Sequence, residues 1–112
     1  MLSQKHRFHG HGSLRYVLKN GKTARNRFIA IRYIENKNRE HTRVAIFVGK
    51  KVFKSSVKRN RIRRRVFEVM RTNWDKIPEG YDISIAVFSP ELLTMPHKEL
   101  EKSIISVLKP LN

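Results

Sequence analysis

The most constraining feature of this chain is one basic segment. Residues 50–65 (KKVFKSSVKRNRIRRR) hold nine Lys and Arg side chains and no acidic one. The second half of the segment predicts a helix from roughly Ser56 to Asn73, because apolar residues recur there at helical spacing. The apolar positions are Ile62, Val66, Val69 and Met70. Ser55 and Ser56 are candidate N-caps, since a hydroxyl accepts hydrogen bonds from the free amides of a first turn.

The helix is predicted to present arginines opposite its apolar stripe. At about 100° per residue, the far side carries Arg61, Arg64, Arg65 and Arg71, and Arg59 and Arg63 flank the stripe. So many like charges favour a polyanionic partner. The planar fork of arginine binds phosphate bidentately, which the point charge of lysine does not. The alternative is a solvated basic face, although ordinary solvated helices mix the two signs.

Charge is distributed unevenly along the 112 residues, a length that indicates one domain. Residues 1–71 carry 21 basic and 3 acidic side chains, whereas residues 72–112 carry 4 and 6. A field of this kind steers a phosphate polymer toward one side of the molecule. The absence of cysteine, of a membrane-length apolar run and of a signal-peptide core fits a cytoplasmic protein that has no membrane association.

The hydrophobic pattern predicts a mobile basic arm over residues 1–12 and a single α+β domain over residues 13–112. Ser13 is expected to cap a short helix that ends at Asn20 and Gly21. Strands are predicted over Arg25–Glu35 and Thr42–Val48, paired antiparallel with each other. The most apolar strand, Asp82–Ser89, should be central, and Pro96 should begin a last helix. Its buried stripe would be Leu100, Ile104, Val107, Leu108 and Leu111.

Catalytic candidates are few. Neither paired carboxylates nor a phosphate-cradling glycine loop is visible in the sequence. A metal site at His6, His9 and His11 is disfavoured, because no carboxylate lies nearby in the sequence. Glu68 is better placed as an intrahelical partner of Arg64, Arg65 or Arg71 than as a general base. Phe28, Tyr33 and Phe47 are aromatic residues that either stack on bases or fill the core, and core packing is the better supported alternative.

The order of motifs resembles the bacterial ribonuclease P protein family. That family shows a Lys-Lys pair at the end of a strand, then a small residue, Val and Arg-Asn-Arg followed by further basic residues. Lys50 and Lys51 match the pair, and SVKRNRIRR (residues 56–64) matches the "RNR" helix. Residues 13–21 (SLRYVLKNG) resemble the first helix of the family, and Arg7 with Phe8 its N-terminal basic-apolar pair. The resemblance covers roughly residues 5–110.

The resemblance implies the order α-β-β-β-α-β-α, with the RNR helix in an unusual left-handed crossover. It also implies a function, the 5′ maturation of precursor tRNA together with a partner RNA that holds the catalytic Mg²⁺ ions. No catalytic residue, protein-held metal or obligate protein partner is then expected in this chain. The expected contacts to ribonuclease P RNA are Lys50, Lys51, Lys58, Arg59, Asn60, Arg61, Arg63 and Arg64. The expected cleft for the 5′ leader is Leu14, Leu18, Phe28, Ile31 and Arg32. The alternative for Leu14 and Leu18 is that both are core residues.

Several positions depart from the family pattern. Leu14 and Leu18 stand where the family often has phenylalanine, so the cleft would keep apolar contact and lose stacking. Phe67 occupies a position that is often basic, one residue is inserted between Lys51 and Arg59, and a family glycine in that loop is replaced by Phe53 or Lys54.

The main alternative function is that of a structural rRNA-binding or ribosome-assembly protein, whose composition would look the same. A double-stranded DNA reader is less well supported, because its probing face would mix Asn, Gln and Ser with Arg.

Overall fold

A computed structural model describes residues 11–35 and 41–111, and their order is α-β-β-β-α-β-α as expected. The elements are α1 (His11–Asn20), β1 (Lys22–Arg25), β2 (Ile29–Glu35), β3 (Arg43–Val48), α2 (Ser56–Thr72), β4 (Tyr81–Val87) and α3 (His97–Leu108). Ten of the twelve residues of the predicted mobile arm lie outside the described part of the chain. The predicted N-cap at Ser13 is wrong, because α1 begins at His11 and Ser13 lies inside the helix.

One mixed sheet of four strands has the order β1-β2-β4-β3. The central position of β4 is confirmed, since it pairs antiparallel with β2 and parallel with β3. The predicted antiparallel pairing of Thr42–Val48 with the preceding strand is wrong. The most apolar strand lies between the two instead, and the crossover through α2 makes β3 parallel to β4.

The predicted strand over Arg25–Glu35 is two strands, β1 and β2, separated by a turn at Asn26. The Asn26 side-chain oxygen accepts hydrogen bonds from the amides of Phe28 (2.8 Å) and Ile29 (3.0 Å). Such an Asx turn reverses the chain so that β1 pairs antiparallel with β2. The four residues of β1 have no apolar alternation, so only the family resemblance indicated a third strand before α2.

The core lies between one face of the sheet and the helices α2 and α3. The apolar stripe predicted for α2 is confirmed, because Ile62, Val66, Val69 and Met70 are all fully buried. The stripe of α3 is confirmed as well: Leu100 and Ile104 are fully buried, and its other members are nearly so. The sheet contributes the alternating residues Ile29, Ile31, Val44, Ile46, Ile83 and Ile85. Burial of this kind leaves the opposite side of α2 facing solvent.

Helix α1 packs on the other face of the sheet, against β2 and β4. Among the α1 side chains that the structure describes, Val17 is fully buried, and the Arg32 guanidinium donates to the carbonyl oxygen of Leu18. Gly21 ends the helix where the backbone approaches β2. A Cβ at this position would lie 2.5 Å from the Val17 carbonyl oxygen and 3.1 Å from that of Tyr33. Glycine therefore allows α1 to sit close to the sheet.

The basic helix starts as predicted. Ser55 is its N-cap, and the hydroxyl accepts a hydrogen bond from the Lys58 amide at 3.3 Å. Within residues 11–35 and 41–111, the helices are all too short or too polar to cross a bilayer.

Candidate nucleic-acid interface

The solvent side of α2 presents a cluster of cations. Lys58, Arg61 and Arg64 are exposed, and Asn60 is exposed beside them. Arg61 and Arg64 line a shallow depression of about 210 Å³ together with Asn60 and Val57, whose side chain is 65% exposed. Because the far side of the helix is anchored in the core, these side chains are held on a rigid element. The arrangement offers guanidinium forks and an ammonium group to the phosphates of a polyanion.

Two further members of the predicted RNA-contacting set make hydrogen bonds within the protein. Arg59 donates to the carbonyl oxygens of Phe53 and Lys54, both at 2.9 Å, and so ties the preceding loop to the helix. Arg63 donates to the Asn60 side-chain oxygen at 2.6 Å. Both arginines are half-buried. They hold the loop and the Asn60 amide in place, while their charge still adds to the local positive field.

Arg65 does not belong to the solvent face to which the helical spacing assigned it. Its guanidinium is half-buried and donates to the Leu92 carbonyl oxygen at 2.6 Å and to that of Met95. These two carbonyls belong to the 3-10 turn and loop between β4 and α3. Arg65 is therefore a structural link between α2 and the segment that leads into α3.

Glu68 is the intrahelical partner that the sequence predicted. Arg71 donates to its carboxylate through Nη2 at 2.5 Å and through Nε at 3.1 Å. The hydrogen bond from Arg71 lowers the pKa of the Glu68 carboxyl group. The same hydrogen bond raises the pKa of the Arg71 guanidinium. This pair stands on the solvent side of the helix and reduces the positive charge beyond Arg64.

The loop before α2 extends the basic surface. Lys50 and Lys51 are exposed and follow β3 after Gly49. The Val52 amide donates to the Gly49 carbonyl oxygen at 3.0 Å, which forms a tight turn. Phe53 is half-buried against the core, and the Lys58 ammonium lies 5.2 Å from the centre of its ring. We call the exposed side chains of Lys50, Lys51, Lys58, Asn60, Arg61 and Arg64 the basic surface.

The sheet face that carries α1 offers a second surface. One row crosses all four strands, since Arg25 pairs with Ala30, Ala30 with Ala86, and Ala86 with Phe47. The next row contains Thr23, Arg32, Ser84 and Ala45 and lies next to α1. We call this side of the sheet the cleft face.

Of the five residues predicted for the leader cleft, four have described side chains, and these divide between the cleft side and the core side of the sheet. Arg32 is exposed on the cleft face, and Leu18 is 42% exposed on α1. The prediction for Ile31 is wrong: it is fully buried on the core face, because it alternates with Arg32 along β2. Phe28 is half-buried against the core, and the Arg27 guanidinium lies 4.9 Å from the centre of its ring. The side chain of Leu14 lies outside the described residues.

The aromatic residues on the sheet also divide. Tyr33 is 9% exposed and belongs to the core, whereas Phe47 is 42% exposed on the cleft face. Phe88 is equally exposed and was missed from the sequence. Its signal was the alternation of Ser84, Ala86 and Phe88 in the central strand, which places all three on one face.

The described residues contain no candidate metal-binding site. No group of three His, Cys, Asp or Glu side chains there could hold an ion. His6 and His9 lie outside the described residues, as does the side chain of His11. Glu68 on α2 and Asp82 on the cleft side of β4 each accept hydrogen bonds from an arginine.

Comparisons with known proteins point to one family. The family model described as "Ribonuclease P" matches residues 2–112. A "Ribonuclease P protein component" from Clostridioides difficile is 42% identical over 97 residues, which cover 85% of this chain and 82% of the relative. Another, from Pelotomaculum thermopropionicum, is 33% identical over 93 residues, which cover 83% of this chain and 80% of the relative.

Solved structures agree with the fold. The RNase P protein of Staphylococcus aureus superposes with a TM-score of 0.83 at 25% identity, covering 96% of this chain and 98% of that one. The RNase P protein of Thermotoga maritima has a TM-score of 0.84 at 24% identity, covering 95% of this chain and 97% of that one.

Proposed function

This chain belongs to the ribonuclease P protein family, and we propose that it binds the catalytic RNA of that enzyme through its basic surface and the 5′ leader of precursor tRNA through its cleft face. Membership makes the chain an RNA-binding subunit of an endoribonuclease of tRNA processing. The assignment of each surface to a particular RNA is the proposed part.

One observation carries the assignment of the basic surface to the catalytic RNA. Lys58, Arg61 and Arg64 point to solvent from a helix whose opposite side is fully buried. Three positive charges carried by one helix can each contact a phosphate group of a folded RNA. Each such contact releases counterions from that RNA. Arg59 and Arg63 support this surface by holding the loop and Asn60 in position.

The cleft face suits a single strand of RNA. Arg25 and Arg32 lie exposed on neighbouring strands, and Leu18 presents an apolar side chain beside them. The cations would neutralise the phosphates of the leader while its bases contact the apolar side chains. A leader that runs over this face leaves the basic surface available for the catalytic RNA.

The Mg²⁺ ions that hydrolyse the phosphodiester bond would be held by the RNA. Glu68 and Asp82 are each engaged by an arginine, so they do not present the cluster of hard oxygen ligands that Mg²⁺ needs. The side chains of this protein bind and orient the two RNAs, and the proposed location of the complex is the cytoplasm.

A cleavage assay tests the proposal. Precursor tRNA is incubated at low Mg²⁺ with ribonuclease P RNA, with and without the protein, and with the protein alone. We expect the protein to promote 5′ cleavage only when the RNA is present. Mg²⁺-dependent cleavage by RNA-free protein, or copurification with whole ribosomal subunits instead of one discrete RNA, would contradict it.

A further inference from the structure

Two phenylalanines stand exposed at one end of the cleft face. Phe47 and Phe88 are each 42% exposed, although phenylalanine side chains of this size are usually buried in a small domain. Phe47 lies on β3, and Phe88 follows the last residue of β4. Both positions lie at the end of the sheet from which the chain continues to Lys50 and Lys51.

The sheet register places the two rings on the same face. Phe47 pairs with Ala86, and Phe88 is two residues further along the neighbouring strand. The Phe88 amide donates to the Phe28 carbonyl oxygen at 3.1 Å, so backbone hydrogen bonding between this strand and the segment before β2 continues to Phe88. Neighbouring strands lie about 4.8 Å apart and a strand rises about 3.3 Å per residue, so the Cα atoms of the two phenylalanines stand roughly 8 Å apart. The rings therefore offer two π-faces to one ligand.

Two small residues lie beside the rings in the described part of the sheet. Ala30 and Ala86 form the floor of the row that runs from Arg25 to Phe47, and Ala86 itself is exposed. No long apolar side chain in this row covers the rings. A flat group can therefore lie over the alanines and against a phenylalanine.

One cation lies over a ring. The Arg25 guanidinium lies 5.8 Å from the centre of the Phe88 ring, and Lys50 is exposed three residues after Phe47. Arg27 is also exposed, two residues after Arg25, with Glu91 at 3.8 Å as a loose partner. Aromatic faces beside positive charge suit a strand with flat bases and phosphates, since stacking on an aromatic side chain tolerates any base. An apolar protein partner would gain little from these cations.

We propose that Phe47 and Phe88 form an aromatic platform that stacks one or two bases of the 5′ leader. This inference rests on the proposed function of the cleft face and names the residues that contact bases there. The platform lies on the sheet itself, whereas Leu18 lies on α1. The platform therefore adds base stacking, which leucine side chains on α1 do not supply, at a separate place on the cleft face. Because purines have the larger π-face, the contacted nucleotide should show a modest purine preference.

The test is a double-mutant cycle between protein and leader. Precursor tRNAs with one abasic site at each leader position are bound to the complex of protein and ribonuclease P RNA. Wild-type protein is compared with Phe47→Leu, Phe88→Leu and the double variant, which keep apolar volume and lose the aromatic face. At one or two adjacent positions, the abasic leader and each variant should weaken binding by about 5- to 100-fold, the range that base stacking represents. The two losses should not add.

Controls separate stacking from folding. Phe88→Tyr retains the aromatic face and should bind like the wild type, and Ile105→Ala removes apolar volume from α3 on the opposite side of the sheet.

Losses that add fully at every leader position, or unchanged binding by the double variant, would overturn the platform. A wild-type dimer that the double variant abolishes in sedimentation would also overturn it, because the rings would then be an interface between copies. Cleavage that depends on the RNA partner survives in all these cases, so failure of the platform is distinguishable from failure of the proposed function.

Discussion

Arg43 and Asp82 form a bidentate ion pair between two neighbouring parallel strands. Nε of Arg43 lies 2.9 Å from Oδ1 of Asp82, and Nη2 lies 2.9 Å from Oδ2. The residues are direct partners in the register of β3 and β4, and their side chains are 10% and 4% exposed. The pair lies on the opposite face of these strands from the apolar core. It specifies the alignment of the edge strand that leads into the basic surface.

Breaking this pair should destabilise the fold. We expect Arg43→Met to lower the free energy of unfolding by about 3–5 kcal/mol, because it leaves the Asp82 carboxylate buried without its main cation. The double change Arg43→Met/Asp82→Leu should cost less, since neither charge is then buried. Urea denaturation of the three proteins measures the difference. A single variant as stable as the wild type would show that the pair does not stabilise the fold, and one no less stable than the double variant would show that the unpaired Asp82 carboxylate is not the cause of the loss.

Removing the exposed arginines of α2 should weaken binding to ribonuclease P RNA without loss of stability. For Arg61→Ala/Arg64→Ala, two lost phosphate contacts should reduce the slope of log K against log salt by about 1.4–1.8. Binding measured from low to high salt gives this slope. Lys98→Ala/Lys102→Ala is the matched control, because it removes the same charge from exposed positions on α3. An unchanged slope in the arginine variant would contradict the assignment of the basic surface.

Adjacent arginines should behave differently. Arg65→Ala removes two hydrogen bonds to backbone carbonyls, so it should lower the free energy of unfolding by about 1.5–3 kcal/mol. Its effect on the salt slope should be small. Arg64→Ala should show the reverse pattern, with normal stability and a reduced slope. Denaturation and binding measured on both variants test the distinction, and equal stability losses would refute it.

Removal of the single acid in α2 should strengthen RNA binding. Glu68→Gln eliminates a negative charge and releases Arg71 from its partner, so the salt slope should rise by about 0.7–0.9. Glu99→Gln, an exposed position on α3, is the control for net charge. Tighter binding by both variants alike would indicate a general charge effect.

The same pair implies a pH dependence. Since the pKa of Glu68 is lowered in the folded protein, the stabilising interaction is present above the unfolded pKa and is lost as the pH falls through the folded pKa. Wild-type protein should therefore approach the salt slope of Glu68→Gln in that acidic range. A difference in salt slope between the wild type and Glu68→Gln that persists below the folded pKa of Glu68 would contradict this account.

Substitution of Gly21 tests the packing of α1 on the sheet. In Gly21→Ala, the new methyl group would meet the Val17 carbonyl oxygen at 2.5 Å, so the helix must shift at a cost of about 1–3 kcal/mol. Leader binding should fall more than binding to the catalytic RNA, because α1 borders the cleft face only. Equal losses for both RNAs would indicate that the two surfaces are not separate.

Local patterns in the sequence determined the elements that depend on near neighbours. The stripe of Ile62 and Val66, the Ser55 cap and the Glu68–Arg71 pair all act within a few residues of one helix. Helical periodicity therefore predicted them, and the residues matched to the family supplied the element order.

Only the tertiary structure decided which polar groups meet across the fold. The position of β4 between β2 and β3 depends on long-range pairing, which the alternation along one strand does not encode. The hydrogen bonds of Arg65 join residues about thirty positions apart, so helical spacing assigned that arginine to solvent. Ile31 and Arg32 were both expected in the cleft, but alternation along β2 places them on opposite faces, and the packing of α2 and α3 decided which face became the core.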